Sequence, residues 1–87
     1  MRVVFATKAW EDYLHWADND RKVFRRLNSL IKECRRTPHE GTGKPEPLKG
    51  CDGYWSRRVT EKDRLVYRVE GKAGDQRIEI AQCRLHY

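Results

Sequence analysis

A histidine and a glutamate are the residues of this chain best suited to moving protons. His86, the penultimate residue, follows a run of strand-forming residues at 77–85, so its imidazole is predicted to lie at the edge of a sheet. Glu46 stands between Pro45 and Pro47, which stiffen the backbone that carries its carboxylate. Because imidazole titrates near neutral pH, His86 is suited to act as a general acid and Glu46 as a general base.

Cationic side chains in the same part of the sequence could hold a phosphate group. Arg58 and Arg64 could each contact non-bridging oxygens with two hydrogen bonds, whereas Lys49 would act as a point charge. Tyr87 could hydrogen-bond the phosphate or stack on a base. A base, an acid and cations are sufficient for metal-independent RNA cleavage, in which the 2′-hydroxyl attacks the neighbouring phosphorus.

Each of these residues also has an ordinary structural explanation. A terminal histidine is most often solvated, and arginines on strands are usually solvated or paired, here for instance with Glu70 or Glu79. Three aromatic residues could stack on bases, although core packing suits the last two better: Tyr54, Trp55 and Tyr67. On residue types alone, a basic RNA-binding module fits slightly better than an enzyme.

Length and charge restrict the class of protein. The 87 residues make a single domain, predicted to span 1–87, with no room for a second core. A net charge of +6 attracts polyanions such as RNA, although it would also serve as ordinary solubilising charge.

The cysteines and histidines indicate neither a disulfide framework nor a metal site. An odd number of cysteines cannot all pair within one chain, and they are predicted to be reduced thiols, two of them buried: Cys34, Cys51 and Cys83. Neither His15 nor His39 has metal-ligand spacing with a cysteine, and we predict no metal and no cofactor. Reduced thiols and the lack of an apolar run of about 20 residues predict a cytoplasmic protein that does not span a membrane.

Two amphipathic helices are predicted to follow a short strand at 2–5. Thr7 could cap the first helix, whose apolar face is predicted to be Trp10, Tyr13, Leu14 and Ala17. Asp20 could cap the second helix, whose apolar positions keep the same period: Val23, Phe24, Leu27, Leu30, Ile31 and Cys34. The Thr37-Pro38 step ends the second helix, and the short break between the two predicts an antiparallel helical hairpin.

The second half of the chain is predicted to form a sheet with one apolar face. A loop at 38–53 precedes three predicted strands: 54–60, 64–70 and 76–85. Odd positions of these strands are mostly apolar and even positions mostly polar or basic, with Ile78 and Ile80 as exceptions. We therefore predict an α+β fold in the order β-α-α-β-β-β, an antiparallel sheet with both helices packed on one face.

Five segments in order, spread over nearly the whole chain, resemble the YoeB/Txe toxins of bacterial toxin–antitoxin pairs, within the wider RelE-like group. The segments are 35–38, 43–49, 55–58, 64–67 and 83–87. The resemblance implies the RelE-like microbial RNase fold and a ribosome-dependent mRNA endonuclease that cuts the codon in the A site. It assigns Glu46 as the base, His86 as the acid and Arg64 as the group that stabilises the transition state, with Arg58, Lys49 and Tyr87 in support. The products would carry a 2′,3′-cyclic phosphate.

The resemblance also implies partners. A YefM-like antitoxin would bind and suppress the protein, the 70S ribosome would present the mRNA, and the chain could form a homodimer. Lys44, Arg57 and Arg84 are predicted to contact RNA. Two alternatives stay open: a ParE-like gyrase inhibitor on the same scaffold, and an RNA-binding module that cuts nothing.

Overall fold

A computed structural model describes residues 1–85 and shows a five-stranded sheet with two helices on one face. The elements are β1 (Arg2–Phe5), α1 (Thr7–Asn19), α2 (Arg21–Cys34), β2 (Glu46–Pro47), β3 (Trp55–Arg58), β4 (Arg64–Lys72) and β5 (Asp75–Gln82). The strands lie in the order β1-β5-β4-β3-β2. The predicted α+β architecture is confirmed.

Two details of the sheet differ from the prediction. β1 pairs with β5 in parallel, whereas the other three strand pairs are antiparallel. The region 38–53, predicted to be a loop, contains the two-residue strand β2, which pairs with β3 at the edge of the sheet. Glu46 is therefore held by a sheet pairing as well as by its prolines.

The two helices follow the predicted hairpin, but only one of the predicted caps is present. The Asp20 carboxylate accepts a hydrogen bond from the Val23 N–H at 3.1 Å, which confirms Asp20 as the cap of α2. Thr7 is already the first residue of α1, and Ala6 stands in the capping position without a side-chain hydrogen bond. The predicted Thr7 cap is therefore wrong.

The predicted apolar face of α1 is also wrong in part. Trp10 and Leu14 are 48% and 41% exposed, whereas Ala9, Asp12 and Trp16 are buried. The face of α1 that packs on the core therefore differs from the predicted one. Hydrogen bonds explain the difference, because the side chains of Asp12 and Trp16 both bond the backbone of Cys83, which follows β5. In α2 the predicted core residues Leu27, Leu30, Ile31 and Cys34 are buried.

A bulge in β5 changes which of its residues face the helices. Val66 pairs with Gln82 and Tyr67 with Ile80, so Ala81 is an extra residue in the ladder. Ile78 and Ile80 are consequently buried in the core together with Tyr67. The prediction that these two isoleucines lie on the polar face is wrong, because strand parity reverses at the bulge.

The core lies between the helices and the sheet, where Leu65, Tyr67, Ile78 and Ile80 are buried. Of the free cysteines, Cys34 and Cys83 are buried and Cys51 is exposed, as predicted. Burial raises the pKa of the Cys83 thiol to about 12, so this thiol stays protonated near neutral pH. Within residues 1–85, the helices are too short and too polar to cross a bilayer.

Candidate functional site

A row of paired residues crosses the face of the sheet opposite the helices, which we call the open face, and begins at Glu46. The two middle residues of this row, Ser56 and Val66, are buried. The strand register aligns Glu46 with Ser56, Ser56 with Val66, and Val66 with Gln82. Directly opposed residues in neighbouring strands present their side chains on the same face. Glu46 is exposed at the end of this row, so its carboxylate is accessible from the open face.

Cations gather at one end of the same face. Arg58 pairs with Arg64, and each stands two residues from the Glu46 row, which corresponds to about 7 Å along a strand. The Arg58 N–H donates to the Gly43 carbonyl at 2.7 Å, and the Arg64 N–H donates to the Leu85 carbonyl at 3.2 Å. The segments that carry Lys44 and Arg84 therefore run beside Arg58 and Arg64. We call these four residues the cationic end: Lys44, Arg58, Arg64 and Arg84.

The segment around Gly43 can lie close to β3 because Gly43 has no side chain. Its φ is +86°, and an added Cβ would lie 3.1 Å from the Arg58 carbonyl oxygen. A larger residue would therefore push the segment that carries Lys44 and Glu46 away from β3.

Arg64 is fixed by the turn that precedes β4. Its Nη1 donates to the three turn carbonyls of Thr60, Glu61 and Asp63, at 2.9, 3.1 and 3.0 Å. A guanidinium held in this way loses less conformational freedom when it binds an anion. Arg58, its partner across the strands, is exposed.

Arg57 is fully buried on the helix-facing side of β3, and the prediction that it contacts RNA is not supported by this structure. Its Nε donates to the Tyr67 hydroxyl at 3.1 Å, and its Nη1 donates to Glu33 Oε2 at 3.0 Å. The remaining donors bond backbone carbonyls of the loop after α2: Thr37, Glu40 and Thr42. Successive strand residues face opposite ways, so Arg57 points inward where Arg58 points outward.

The buried arginine fastens the loop that leads to Glu46. Glu33, its ion-pair partner, also accepts the Thr42 N–H at 3.2 Å. This backbone hydrogen bond holds the pKa of Glu33 below its usual value, with the Arg57 charge acting in the same direction. Sequence reasoning missed this role, although the odd position of Arg57 among apolar odd residues was a signal.

Another arginine of the open face is engaged in ion pairs. Arg68 Nε lies 2.9 Å from Glu70 Oε1 and 3.0 Å from Glu79 Oε1. Hydrogen bonds from Arg77 and then Arg68 lower the pKa of Glu79. The ordinary explanation of strand arginines therefore holds for Arg68.

The structure does not bring Lys49 to the Glu46 row or to the cationic end. Lys49 is exposed in the turn that follows β2, whereas Lys44 of the cationic end precedes that strand. His86 and Tyr87 lie outside the described residues. Among residues 1–85, no three histidine, cysteine, aspartate or glutamate side chains are grouped so that they could hold a metal ion.

Two helices on one face of a small sheet, with a carboxylate beside a group of cations on the other, define a small basic α+β protein with a candidate anion-binding face. A family model described as the YoeB-like toxin of bacterial type II toxin–antitoxin systems matches residues 5–87. The chain belongs to this family of toxins.

Individual relatives match over the whole chain. Toxin YoeB of Escherichia coli K12 is 49% identical over 88 residues, which cover all of both chains. A YoeB/ParE toxin structure from Agrobacterium tumefaciens superposes with a TM-score of 0.96, at 49% identity and full coverage of both chains. YoeB of Staphylococcus aureus has been solved as a dimer, with a TM-score of 0.88 and 42% identity, covering 100% of this chain and 98% of that one. It has also been solved as a heterotetrameric YoeB–YefM complex, with a TM-score of 0.85, 40% identity and the same coverage.

Proposed function

We propose that this toxin is an endoribonuclease that cuts mRNA in the ribosomal A site without a metal ion. The observation that carries the proposal is the shared open face, on which Glu46 stands one row from the cationic end. RNA laid across this face would bring its phosphates to the cations and a ribose hydroxyl to the carboxylate. Membership of the YoeB toxin family supports the same reading.

The proposed reaction is an internal transesterification. Glu46 takes the proton of the 2′-hydroxyl as its oxygen attacks the adjacent phosphorus, and His86 gives a proton to the departing 5′ oxygen. The products are a 2′,3′-cyclic phosphate and a 5′-hydroxyl. Arg64 and Arg58 stabilise the additional negative charge on the phosphorane, because guanidinium groups bind its oxygens with two hydrogen bonds each.

Four further residues keep their predicted roles. Lys49 and Tyr87 add charge and a hydrogen bond to the phosphate, and Lys44 and Arg84 contact the RNA backbone beside the cut. Arg57 is omitted from the RNA contacts because its side chain is fully buried.

A YefM-like antitoxin is the proposed inhibitor. The S. aureus relative forms a complex with YefM, and the net charge of +6 on this chain suits an acidic partner segment. The dimer of the same relative supports a homodimer here. With mRNA on 70S ribosomes as its substrate, the protein would act in the bacterial cytoplasm.

The test is to map fragment ends on one mRNA, first free and then positioned on 70S ribosomes. We expect cuts within the A-site codon that leave a cyclic phosphate in the presence of EDTA. His86→Gln should abolish them, whereas His15→Gln, on α1 away from the open face, should not. If the mRNA stays intact in both settings while the toxin still arrests cell growth, the proposal is contradicted, and inhibition of gyrase is the activity to test next.

A further inference from the structure

Arg26 of α2 donates hydrogen bonds to two consecutive carbonyl groups at the end of β3. Its Nε donates to the Val59 carbonyl at 2.8 Å, and its Nη2 donates to the Arg58 carbonyl at 3.0 Å. Nε and Nη2 lie on one edge of the planar guanidinium group, so a single arginine can bond two neighbouring acceptors in a fixed arrangement. Arg26 therefore connects α2 to the main chain of Arg58, which pairs with Arg64 at the cationic end.

The Arg58 carbonyl lies at a point where β2 is too short to provide a hydrogen-bond donor. β2 pairs only with Trp55 and Ser56, and beyond this pairing the Arg58 N–H donates to the Gly43 carbonyl at 2.7 Å. In an antiparallel ladder the N–H and the carbonyl of one residue point to the same neighbouring strand. Arg26 thus takes the place of the donor that a longer β2 would supply to this carbonyl.

Val59, the residue after Arg58, is held at both of its main-chain polar groups. Its N–H donates to the Asp63 carbonyl at 2.9 Å, and its carbonyl accepts Nε of Arg26. The Val59 side chain is only 2% exposed, so the core fixes it as well. The main chain of Arg58 is therefore held by Gly43, by Arg26 and by the residue that follows it, whereas the Arg58 side chain is exposed.

We propose that Arg26 is a positioning residue for Arg58, which it holds at the end of β3 so that the Arg58 guanidinium binds the phosphate together with Arg64. This inference rests on the proposed function, since it needs Arg58 to bind the phosphate. α2 packs on the face of the sheet opposite the open face, and Nε and Nη2 of Arg26 are engaged with main-chain carbonyls. The effect of Arg26 on cleavage is therefore exerted through Arg58.

The experiment is a double-mutant cycle of single-turnover cleavage on ribosome-bound mRNA. Arg26→Met should lower the cleavage rate constant by about tenfold or more, but by no more than Arg58→Met does, because a displacement of about 1 Å can cost about 100-fold. In the Arg58→Met background the same substitution should change the residual rate constant by less than about threefold, because the residue through which it acts is gone. Arg26→Lys keeps the charge without the planar pair of donors and should lose part of the rate. Arg25→Met removes the same charge from an exposed neighbour on α2 and is the matched control, expected to cleave like the wild type.

The outcomes separate this inference from the proposed function. No cleavage by the wild type would overturn both. If the wild type cleaves and Arg26→Met causes an equal loss in the two backgrounds, Arg26 only supports the fold and the positioning role is overturned. An unchanged rate constant in folded Arg26→Met, or an equal loss in Arg25→Met, would overturn it as well. If Arg26→Met does not fold, Arg26→Lys takes its place in the cycle, and either an unchanged rate constant or a loss of the same size in both backgrounds would overturn the inference.

Discussion

Replacement of Arg57 by methionine should destabilise the fold more than a change at its exposed neighbour. The side chain is fully buried, and all five of its N–H donors point at oxygens of Glu33, Tyr67 and the 37–42 loop. Removal of one partner of a buried ion pair costs about 3–5 kcal/mol. Glu33 is 31% exposed, so water can rehydrate its carboxylate and the loss should lie near the lower end, at about 3 kcal/mol.

A loss of this size is large for a domain of this length. It corresponds to a fall in Tm of roughly 12–24 °C. Urea denaturation followed by circular dichroism measures it, with Arg58→Met as the matched control because that side chain is exposed on the opposite face. The control should stay within about 0.5 kcal/mol of the wild type. If the free energy of unfolding of Arg57→Met lies within about 1 kcal/mol of the wild-type value, this arginine does not fasten the loop as argued.

Two further predictions follow from pKa values in the core and the loop. Glu33, whose pKa is lowered chiefly by the Thr42 N–H, should stabilise the fold above its ordinary pKa of 4.5 and lose this effect as the pH falls. The difference in urea midpoint between wild type and Glu33→Gln should therefore shrink from pH 7 to pH 3, and a constant difference would contradict this. Iodoacetamide at pH 8 should label Cys51 first, because burial raises the pKa of both Cys34 and Cys83. Equal labelling of the three thiols in the folded protein would refute the predicted burial.

Local sequence signals were sufficient where a single periodicity runs unbroken. The α2 period from Leu27 to Cys34 and the Asp20 cap were both predicted, because one apolar stripe and one capping oxygen determine them. In α1 the spacing of the aromatic residues predicted the wrong apolar face, since Trp10 is half exposed. Its core face is set by the long-range hydrogen bonds of Asp12 and Trp16 to the segment after β5, which a helical period cannot reveal.

The candidate site residues were predicted to lie together because side chains alternate between the two faces of a strand. This alternation holds only within one uninterrupted ladder. Arg58 and Arg64 fall on the open face as predicted, because β3 and β4 pair without a shift between them. In β5 the bulge at Ala81 reverses the pattern and buries Ile78. Arg57 was predicted to contact RNA together with Lys44 and Arg84, although its odd position indicated the core.

The role of Glu46 as the general base is the central claim, and single-turnover cleavage of ribosome-bound mRNA by Glu46→Gln tests it most directly. Because Glu46 is exposed at the sheet edge, this variant should keep its fold and its antitoxin binding. We predict a fall in the cleavage rate constant of about 10²- to 10⁴-fold. Glu11→Gln, an exposed glutamate of α1, should cleave like the wild type. A folded Glu46→Gln protein that cleaves within about threefold of the wild-type rate would contradict the account.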